Sequence, residues 1–173
     1  LRFQMFEEER GTGSWRTLQY EKKKGNLYPT HGLGPVSQYM NLLRSEDNFK
    51  SIVSFSTPAM GRKKFANKNF SENHKWNELN YQNGDLNTSV IKTHLGRTIM
   101  VQWDETSPRP YTRLNLVQGT KGILAGGPTR AAFEGGFEDF TDGSNQWIKD
   151  DGIKRLYEKY DHPLYKRLNN KTK

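Results

Sequence analysis

The tyrosine and the histidine within residues 28–35 are the side chains in this chain best suited to proton transfer. The segment reads Tyr-Pro-Thr-His-Gly-Leu-Gly-Pro. A phenol donates or accepts a hydrogen bond, and an imidazole changes charge near neutral pH. Prolines restrict the backbone, glycines permit conformations or close approaches that a Cβ would forbid, and Pro35 suits the first turn of a helix. The pattern predicts a stiff loop that presents Tyr28 and His31 just before a helix. From spacing alone, a purely structural histidine stays an open alternative.

Other chemistry-bearing residues give weaker patterns. Asp104 is adjacent to Glu105, and Glu138 is adjacent to Asp139. Adjacent residues of a strand point to opposite faces, so the two carboxylates of such a pair would not face the same substrate. Neither pair therefore suits the two-carboxylate mechanism of common glycosidases, and solvated acids or turn formers are expected. The chain has no cysteine, which excludes thiolate chemistry and disulfides. No metal site is predicted, because metal-ligand spacing is absent around the remaining histidines, His74, His94 and His162.

Four segments together resemble a known family. Residues 27–36 resemble the signature of NAD-dependent α-N-acetylgalactosaminidases, glycoside hydrolase family 109, within the glucose–fructose oxidoreductase and inositol dehydrogenase superfamily. Ser-Trp-Arg at 14–16 and Ser-Pro-Arg-Pro-Tyr-Thr-Arg at 107–113 are similar to further family segments. Val-Gln-Gly-Thr-Lys-Gly at 117–122 resembles a strand–turn–strand of the superfamily. The segments keep the family's order.

The resemblance implies a function and a site. It implies glycoside hydrolysis by transient oxidation at C3 of the sugar, elimination, water addition and re-reduction. The implied catalytic residues are His31, as an acid–base or hydroxyl-positioning group, and Tyr28, as its partner or proton relay. The residues implied to bind the α-linked N-acetylgalactosaminide or a related sugar are Arg16, Tyr28, Pro29, Thr30, His31 and Tyr111.

No segment of the chain satisfies the pattern for binding NAD. The Gly-Thr-Gly at 11–13 has Arg16 where a third glycine is needed, and the Gly-Leu-Gly at 32–34 has Ser37 there. NAD is therefore expected to be bound mainly by an N-terminal domain outside this chain, with no cofactor held by this chain alone. Residues 1–173 are predicted to form a single substrate-side domain, a fragment of a larger two-domain protein, inactive in isolation.

The composition leaves other function classes to consider. The net charge is +8, which invites nucleic-acid binding, but the basic clusters are short and scattered and an acidic stretch spans 134–151. We expect no nucleic-acid partner, and no apolar run approaches the length of a membrane helix. A sugar dehydrogenase of the same superfamily and a non-enzymatic carbohydrate-binding domain stay open, as does self-association through the sheet. The resemblance favours a periplasmic or exported bacterial protein, with the compartment itself unknown.

Hydrophobic periodicity predicts an α+β fold. An open, mostly antiparallel sheet with helices packed on one face is expected, without a Rossmann domain. Helices are predicted at 35–45 and 150–160, an extended piece at 15–20, and either a weak helix or an exposed loop at 62–80. His162 and Pro163 are expected to cap the end of the last helix. The predicted strands are residues 1–8, 51–57, 87–95, 98–104, 111–118, 122–124 and 129–134.

Overall fold

A computed structural model describes residues 15–44, 46–140 and 146–169, with the backbone alone at Trp15 and Arg16. The chain divides into two compact units, Leu1–Tyr111 and Thr112–Lys173. The strand predicted at 1–8 lies outside the described residues. In chain order the elements are α1 (Trp15–Lys22), α2 (Thr30–Tyr39), β1 (Phe49–Ser56), α3 (Gly61–Asn69), α4 (Lys75–Glu78), β2 (Leu86–Thr93), β3 (Thr98–Asp104), β4 (Leu116–Gly119), β5 (Gly122–Ala125), β6 (Arg130–Phe133), a 3₁₀ turn (Glu138–Phe140), α5 (Asp150–Tyr160) and α6 (Pro163–Asn169).

The first unit is built on the three-stranded antiparallel sheet β1-β2-β3. Ile91 of the central strand pairs with Ile52 of β1 and Ile99 of β3. The turn between β2 and β3 contains Gly96 at φ +83°, where a side chain would be strained. The expected pair of strands joined through Gly96 is confirmed.

Helix α2 covers one face of this sheet. Leu33 and Val36 of the helix pack against Ile91, Ile99 and Val101, three buried residues that share one face of β2 and β3. These side chains supply most of the apolar burial that holds α2 in place, since the burial of apolar area is the main favourable term in folding. The opposite face is left open, with Val53, Phe55, Val90 and Met100 all exposed.

Asp47 ties the connection between α2 and β1 to the β2–β3 turn. Its buried carboxylate accepts hydrogen bonds from the backbone amides of Asn48 at 2.9 Å and Leu95 at 3.0 Å. The Arg97 guanidinium donates two more, at 2.7 and 3.0 Å. Burial of the carboxylate opposes its ionisation, but the hydrogen bonds prevail and hold the pKa of Asp47 below its ordinary value.

The second unit also consists of an antiparallel sheet with a helix packed against it, and its strands are shorter. Strands β4, β5 and β6 form a second antiparallel sheet, and β4 and β5 make the hairpin expected from the sequence. Buried Ala131 of β6 packs with Phe137, Ile148 and Leu156, so that α5 lies against this core. Each unit thus carries helices against an antiparallel sheet, which confirms the α+β class. The strands form two three-stranded sheets, and every described pairing is antiparallel.

Several predicted helix boundaries are wrong. Residues 15–20, predicted as extended, belong to helix α1, and the helix predicted at 35–45 begins at Thr30 and ends at Tyr39. Residues 62–80, expected to be either a weak helix or an exposed loop, include all of α3 except its first residue and all of α4. His162 directly precedes α6 and Pro163 is the first residue of that helix. The His162 Nδ1 accepts the backbone N–H of Leu164 at 3.1 Å, so the two residues begin a helix instead of capping the end of α5. Within the part of the chain that is described, no helix has the length and apolar character to cross a membrane.

Candidate functional site

Tyr28 and His31 contact each other directly. The Tyr28 Oη lies 3.0 Å from the His31 Nε2, and the direction of this hydrogen bond depends on the histidine tautomer. Their rings meet edge to face, with centroids 4.9 Å apart and planes at 73°. The geometry allows a proton to pass between phenol and imidazole, because both heavy atoms lie within hydrogen-bond distance.

The start of α2 produces this contact. Pro29 adopts helical dihedrals of φ −75° and ψ −17°, and its carbonyl accepts the N–H of Gly32 at 3.0 Å and of Leu33 at 2.8 Å. Tyr28 is anchored through its backbone N–H, which donates to the Asn26 Oδ1 at 2.9 Å. Residues three apart on a helical turn lie side by side. Tyr28 therefore meets His31 because the chain already turns helically at Pro29, and not because of the stiff loop expected from the sequence.

Gly32 and Gly34 do not have the role predicted for them. Both lie within α2, and neither has a left-handed φ. A Cβ on Gly32 would make only an ordinary contact, 3.8 Å from the Val101 Cγ1, and a Cβ on Gly34 would meet nothing within 4 Å apart from its chain neighbours. The expectation that these glycines permit forbidden conformations or close approaches is therefore wrong.

A groove of about 320 Å³ has Pro29 in its lining, whereas neither Tyr28 nor His31 lines it. Helix α2 forms one wall, the sheet forms a largely apolar floor, and the loop before α2 supplies polar groups. Thr30 and His31 are exposed, whereas Tyr28 and Pro29 are half-buried. Pro29, one of the predicted sugar contacts, belongs to the lining, which also includes Lys24, Asn26, Leu33, Ile52, Ile91 and Val101.

The other two predicted sugar contacts lie on separate segments. Arg16 belongs to α1, and its side chain is outside the described part. Tyr111 is exposed at the end of the segment that follows β3. The structure thus brings Tyr28, Pro29, Thr30 and His31 together on one turn, and no described contact joins Arg16 or Tyr111 to that turn.

The segment that leads to Tyr111 is shaped by Asp104. This carboxylate accepts the backbone N–H of Thr106 at 3.2 Å and of Ser107 at 3.0 Å, and the Arg109 Nε at 2.9 Å. Partial burial opposes ionisation, yet the hydrogen bonds from Ser107 and Arg109 leave the pKa of Asp104 below its ordinary value. Asp104 is therefore a turn former, whose carboxylate is hydrogen-bonded to the residues that directly follow it.

A buried arginine is the main feature that the sequence did not indicate. Arg62 of α3 is only 1% exposed, and its guanidinium lies 3.7 Å over the Tyr20 ring. It donates to the Asn83 carbonyl at 3.0 Å and faces the Glu105 carboxylate at 3.8 Å. Burial lowers the pKa of Arg62, while the charge of the neighbouring groups opposes that shift. Hydropathy cannot reveal such a residue, because an arginine at this position is typical of an exposed helix face.

Glu138 and His74 have structural partners. Glu138 pairs with Lys159 at 3.2 Å and with Arg155 at 3.6 Å. The His74 Nδ1 accepts the Trp76 N–H at 3.2 Å and so begins α4. Across residues 15–44, 46–140 and 146–169, no group of three or more histidine, aspartate or glutamate side chains could hold a metal ion.

Comparison with known proteins assigns the family. Residues 2–173 match the family model described as glycosyl hydrolase 109, C-terminal domain. Glycosyl hydrolase family 109 protein 1 of Akkermansia muciniphila is 57% identical over 172 residues, which cover 97% of this chain and 34% of that protein. A glycosyl hydrolase family 109 protein of Shewanella baltica is 54% identical over 168 residues, or 97% of this chain and 36% of that protein. The chain belongs to glycosyl hydrolase family 109, as its motifs indicate, and spans about a third of the length of these relatives.

Proposed function

We propose that this chain is the substrate-side domain of an NAD-dependent α-N-acetylgalactosaminidase, in which Tyr28 and His31 move protons at the sugar. The observation that carries the proposal is the 3.0 Å contact between the Tyr28 Oη and the His31 Nε2. The family match supports a glycosidase, and the predicted sugar-contacting residues 28–31 form one accessible turn beside a groove.

The pairing of the described strands supports a dinucleotide site that lies outside the described residues. A nicotinamide dinucleotide is bound where a parallel βαβ unit presents a helix N-terminus to its pyrophosphate, and the described strands pair only in antiparallel fashion. NAD would therefore be held by another part of the protein, where it would accept and return a hydride at C3 of the sugar. What this chain contributes is substrate orientation and proton movement.

The proton chemistry follows from the geometry of the pair. A carbonyl at C3 acidifies the neighbouring C–H, so elimination of the aglycone requires a base at that proton and an acid at the leaving oxygen. His31 is exposed, and an accessible imidazole fits the acid–base role. Tyr28 is held by Asn26 and shares a hydrogen bond with His31, so it can relay the proton and keep the imidazole in one tautomer.

Arg16 and Tyr111 would complete the sugar site. A guanidinium offers a planar fork of donors that suits sugar hydroxyl and amide oxygens. An exposed tyrosine presents both a flat apolar face and a hydroxyl, and Tyr111 is 64% exposed. Pro29 and Thr30 would line the wall from which His31 projects.

The experiment uses the longest gene product that contains this chain. Release from a chromogenic α-N-acetylgalactosaminide is measured with and without added NAD, for wild type, His31→Ala and Tyr28→Phe. Each variant is expected to lose about 10²- to 10⁴-fold in kcat, the usual contribution of a general acid or base. The matched controls are Tyr39→Phe, an exposed tyrosine at the other end of α2, and His94→Ala, an exposed histidine in the β2–β3 turn.

The outcomes separate the candidate functions. NAD-dependent release without net NADH formation, lost in the two site variants and retained in the two controls, supports the glycosidase. Net NADH formation from free sugar would identify a sugar dehydrogenase instead. Sugar binding with no turnover in a folded protein that retains NAD would indicate a carbohydrate-binding role and would contradict the roles of Tyr28 and His31.

A further inference from the structure

We infer that Arg62 is a positioning residue that joins the three segments carrying the sugar contacts. This inference rests on the proposed function for its consequence in catalysis, whereas the connection itself is a property of the fold. The three segments are α1 with Arg16, the loop that leads to Tyr28, and the stretch from Glu105 to Tyr111.

The Arg62 guanidinium contacts a different partner in each of three directions. Its Cζ lies 3.7 Å from the centroid of the Tyr20 ring. Its Nη1 donates to the Asn83 carbonyl at 3.0 Å, and its Nη2 lies 3.8 Å from the Glu105 Oε2. The same Glu105 oxygen accepts the hydrogen bond of the Tyr20 hydroxyl. Arginine, ring and carboxylate therefore form a closed triangle in the interior of the first unit.

Each residue that contacts the Arg62 guanidinium belongs to one of the three segments or is hydrogen-bonded to it. Tyr20 follows Arg16 by one turn of α1. The Asn83 Nδ2 donates to the Gly25 carbonyl at 2.6 Å, one residue before the Asn26 that holds the backbone of Tyr28. The carbonyl of Tyr20 also accepts the N–H of Asn83 at 2.9 Å, which links the first two segments to each other.

Glu105 leads to the third segment. It lies between Asp104, whose carboxylate holds the Arg109 side chain, and the residues that run on to Tyr111. Thr106 is buried, and its hydroxyl donates to the carbonyl of Asp85 at 3.4 Å, so the beginning of this stretch is fixed to the interior. A displaced Glu105 would carry the following residues with it.

The chemistry of arginine explains why a charged residue occupies this position. Burying a cation is costly unless it is paired and hydrogen-bonded, so an apolar side chain would normally be more stable in such a place. A planar guanidinium can stack on the Tyr20 ring while it donates to the Asn83 carbonyl and pairs with the Glu105 carboxylate, whereas the compact ammonium of lysine cannot stack and pair in this way. The sequence retains the costly residue at the position where the three segments meet.

The test uses the longest gene product that contains this chain, with Arg62→Lys and Arg62→Met as the main variants. Ala66→Gly is the matched control, because Ala66 is fully buried one turn further along the same helix and its replacement weakens α3 through helix propensity. Tyr20→Phe removes the hydroxyl bond to Glu105 while it keeps the ring, and it serves as the milder variant if both Arg62 variants fail to fold.

Amide hydrogen exchange is the first measurement. In Arg62→Lys, exchange should accelerate by about tenfold in residues 15–22, 25–31 and 105–111 together, because all three segments lose the shared partner. Acceleration confined to α3, as expected for Ala66→Gly, would overturn the inference.

Kinetics is the second measurement, made at a temperature at which every variant is fully folded. We expect Arg62→Lys to raise KM for the α-N-acetylgalactosaminide by about 10- to 100-fold, because displaced binding groups bind the sugar less tightly. A KM equal to that of Ala66→Gly would overturn the positioning role. Wild-type protein that lacks NAD-dependent release would refute the proposed function, and the exchange pattern would still decide whether Arg62 joins the three segments.

Discussion

Replacing Pro35 with alanine tests how the helix that carries His31 is built. Pro35 is the sixth residue of α2, whose bounds are Thr30–Tyr39. A proline has no N–H, so the His31 carbonyl cannot receive the ordinary bond from the residue four positions later. The turn that positions His31 against Tyr28 is therefore less constrained by its own helix than a regular first turn would be.

The size of the effect can be estimated from the position of the proline. An interior proline costs a helix about 3 kcal/mol relative to alanine. Against this, alanine gives the unfolded chain about 0.4–1 kcal/mol of extra conformational freedom. The net gain in local stability is about 2 kcal/mol, which corresponds to roughly 30-fold slower amide exchange across the last turn of α2.

The variant Gly34→Ala tests independently whether Pro35 limits the stability of α2. The space around a Gly34 Cβ is open apart from chain neighbours, so Gly34→Ala meets no steric obstacle from the rest of the protein. Alanine favours a helix interior by about 1 kcal/mol over glycine. A residue that precedes proline is, however, disfavoured in helical conformation once it has a Cβ. Gly34→Ala should therefore gain its full stabilisation only when Pro35 has also been replaced.

Native-state hydrogen exchange of Val36 to Tyr39 measures both effects in the single and double variants. We also expect Pro35→Ala to lower kcat in the full-length protein, because the restored bond would draw the His31 carbonyl into the helix and disturb the 3.0 Å contact with Tyr28. Unchanged or faster exchange in Pro35→Ala would refute the reasoning. So would a Gly34→Ala effect of equal size in both backgrounds.

Three further perturbations follow from other parts of the structure. Gly84→Ala should destabilise the protein by about 1–3 kcal/mol in urea unfolding, because the Cβ would collide with the Thr57 carbonyl oxygen and lie 2.9 Å from its amide nitrogen; an unchanged urea midpoint would contradict this. Burial opposes ionisation of Asp47, but its hydrogen bonds hold its folded-state pKa below the unfolded value of about 3.9, so its contribution to stability is present above that pH and lost as pH falls. In Asp47→Asn the free energy of unfolding should therefore fall less steeply as the pH is lowered below about 5. A fall as steep as that of wild type would show that Asp47 does not cause the loss of stability in acid. Phe55→Lys should reduce self-association in sedimentation, because Phe55 is 70% exposed on an apolar sheet face; wild-type protein that stays monomeric at all concentrations would contradict it.

The strands were the most predictable part of the fold. In β3 the buried Ile99 and Val101 alternate with the exposed Thr98, Met100 and Gln102, so a period of two can be read from the sequence. The helices were harder to predict, because their buried positions are not apolar stripes. In α1 the buried residues are Thr17 and Tyr20, and in α3 they are Arg62 and Ala66. A threonine and an arginine on the buried face remove the signal on which periodicity depends.

The start of α2 was mispredicted for a different reason. Proline is common in the first turn of a helix, so Pro35 indicated a helix that began there. The helix instead begins five residues earlier, at Thr30, with Pro35 in its interior. The tyrosine–histidine pair could be found from residue types and motif, but its contact depends on the helical dihedrals of Pro29, which no residue type specifies.

The two halves of the proposed site therefore depend on different parts of the molecule. The Tyr28–His31 hydrogen bond joins residues three positions apart, so the start of α2 forms it with local help from Asn26. The proposed sugar contacts Arg16 and Tyr111 lie on segments that are distant in sequence, and we propose that Arg62 joins these segments. Loss of the Tyr28 hydroxyl should then lower kcat with little change in KM, whereas loss of the Arg62 fork should raise KM with much less change in kcat. Equal changes in both parameters for both variants would mean that the pair and the sugar-binding segments form one cooperative unit, which would contradict this separation.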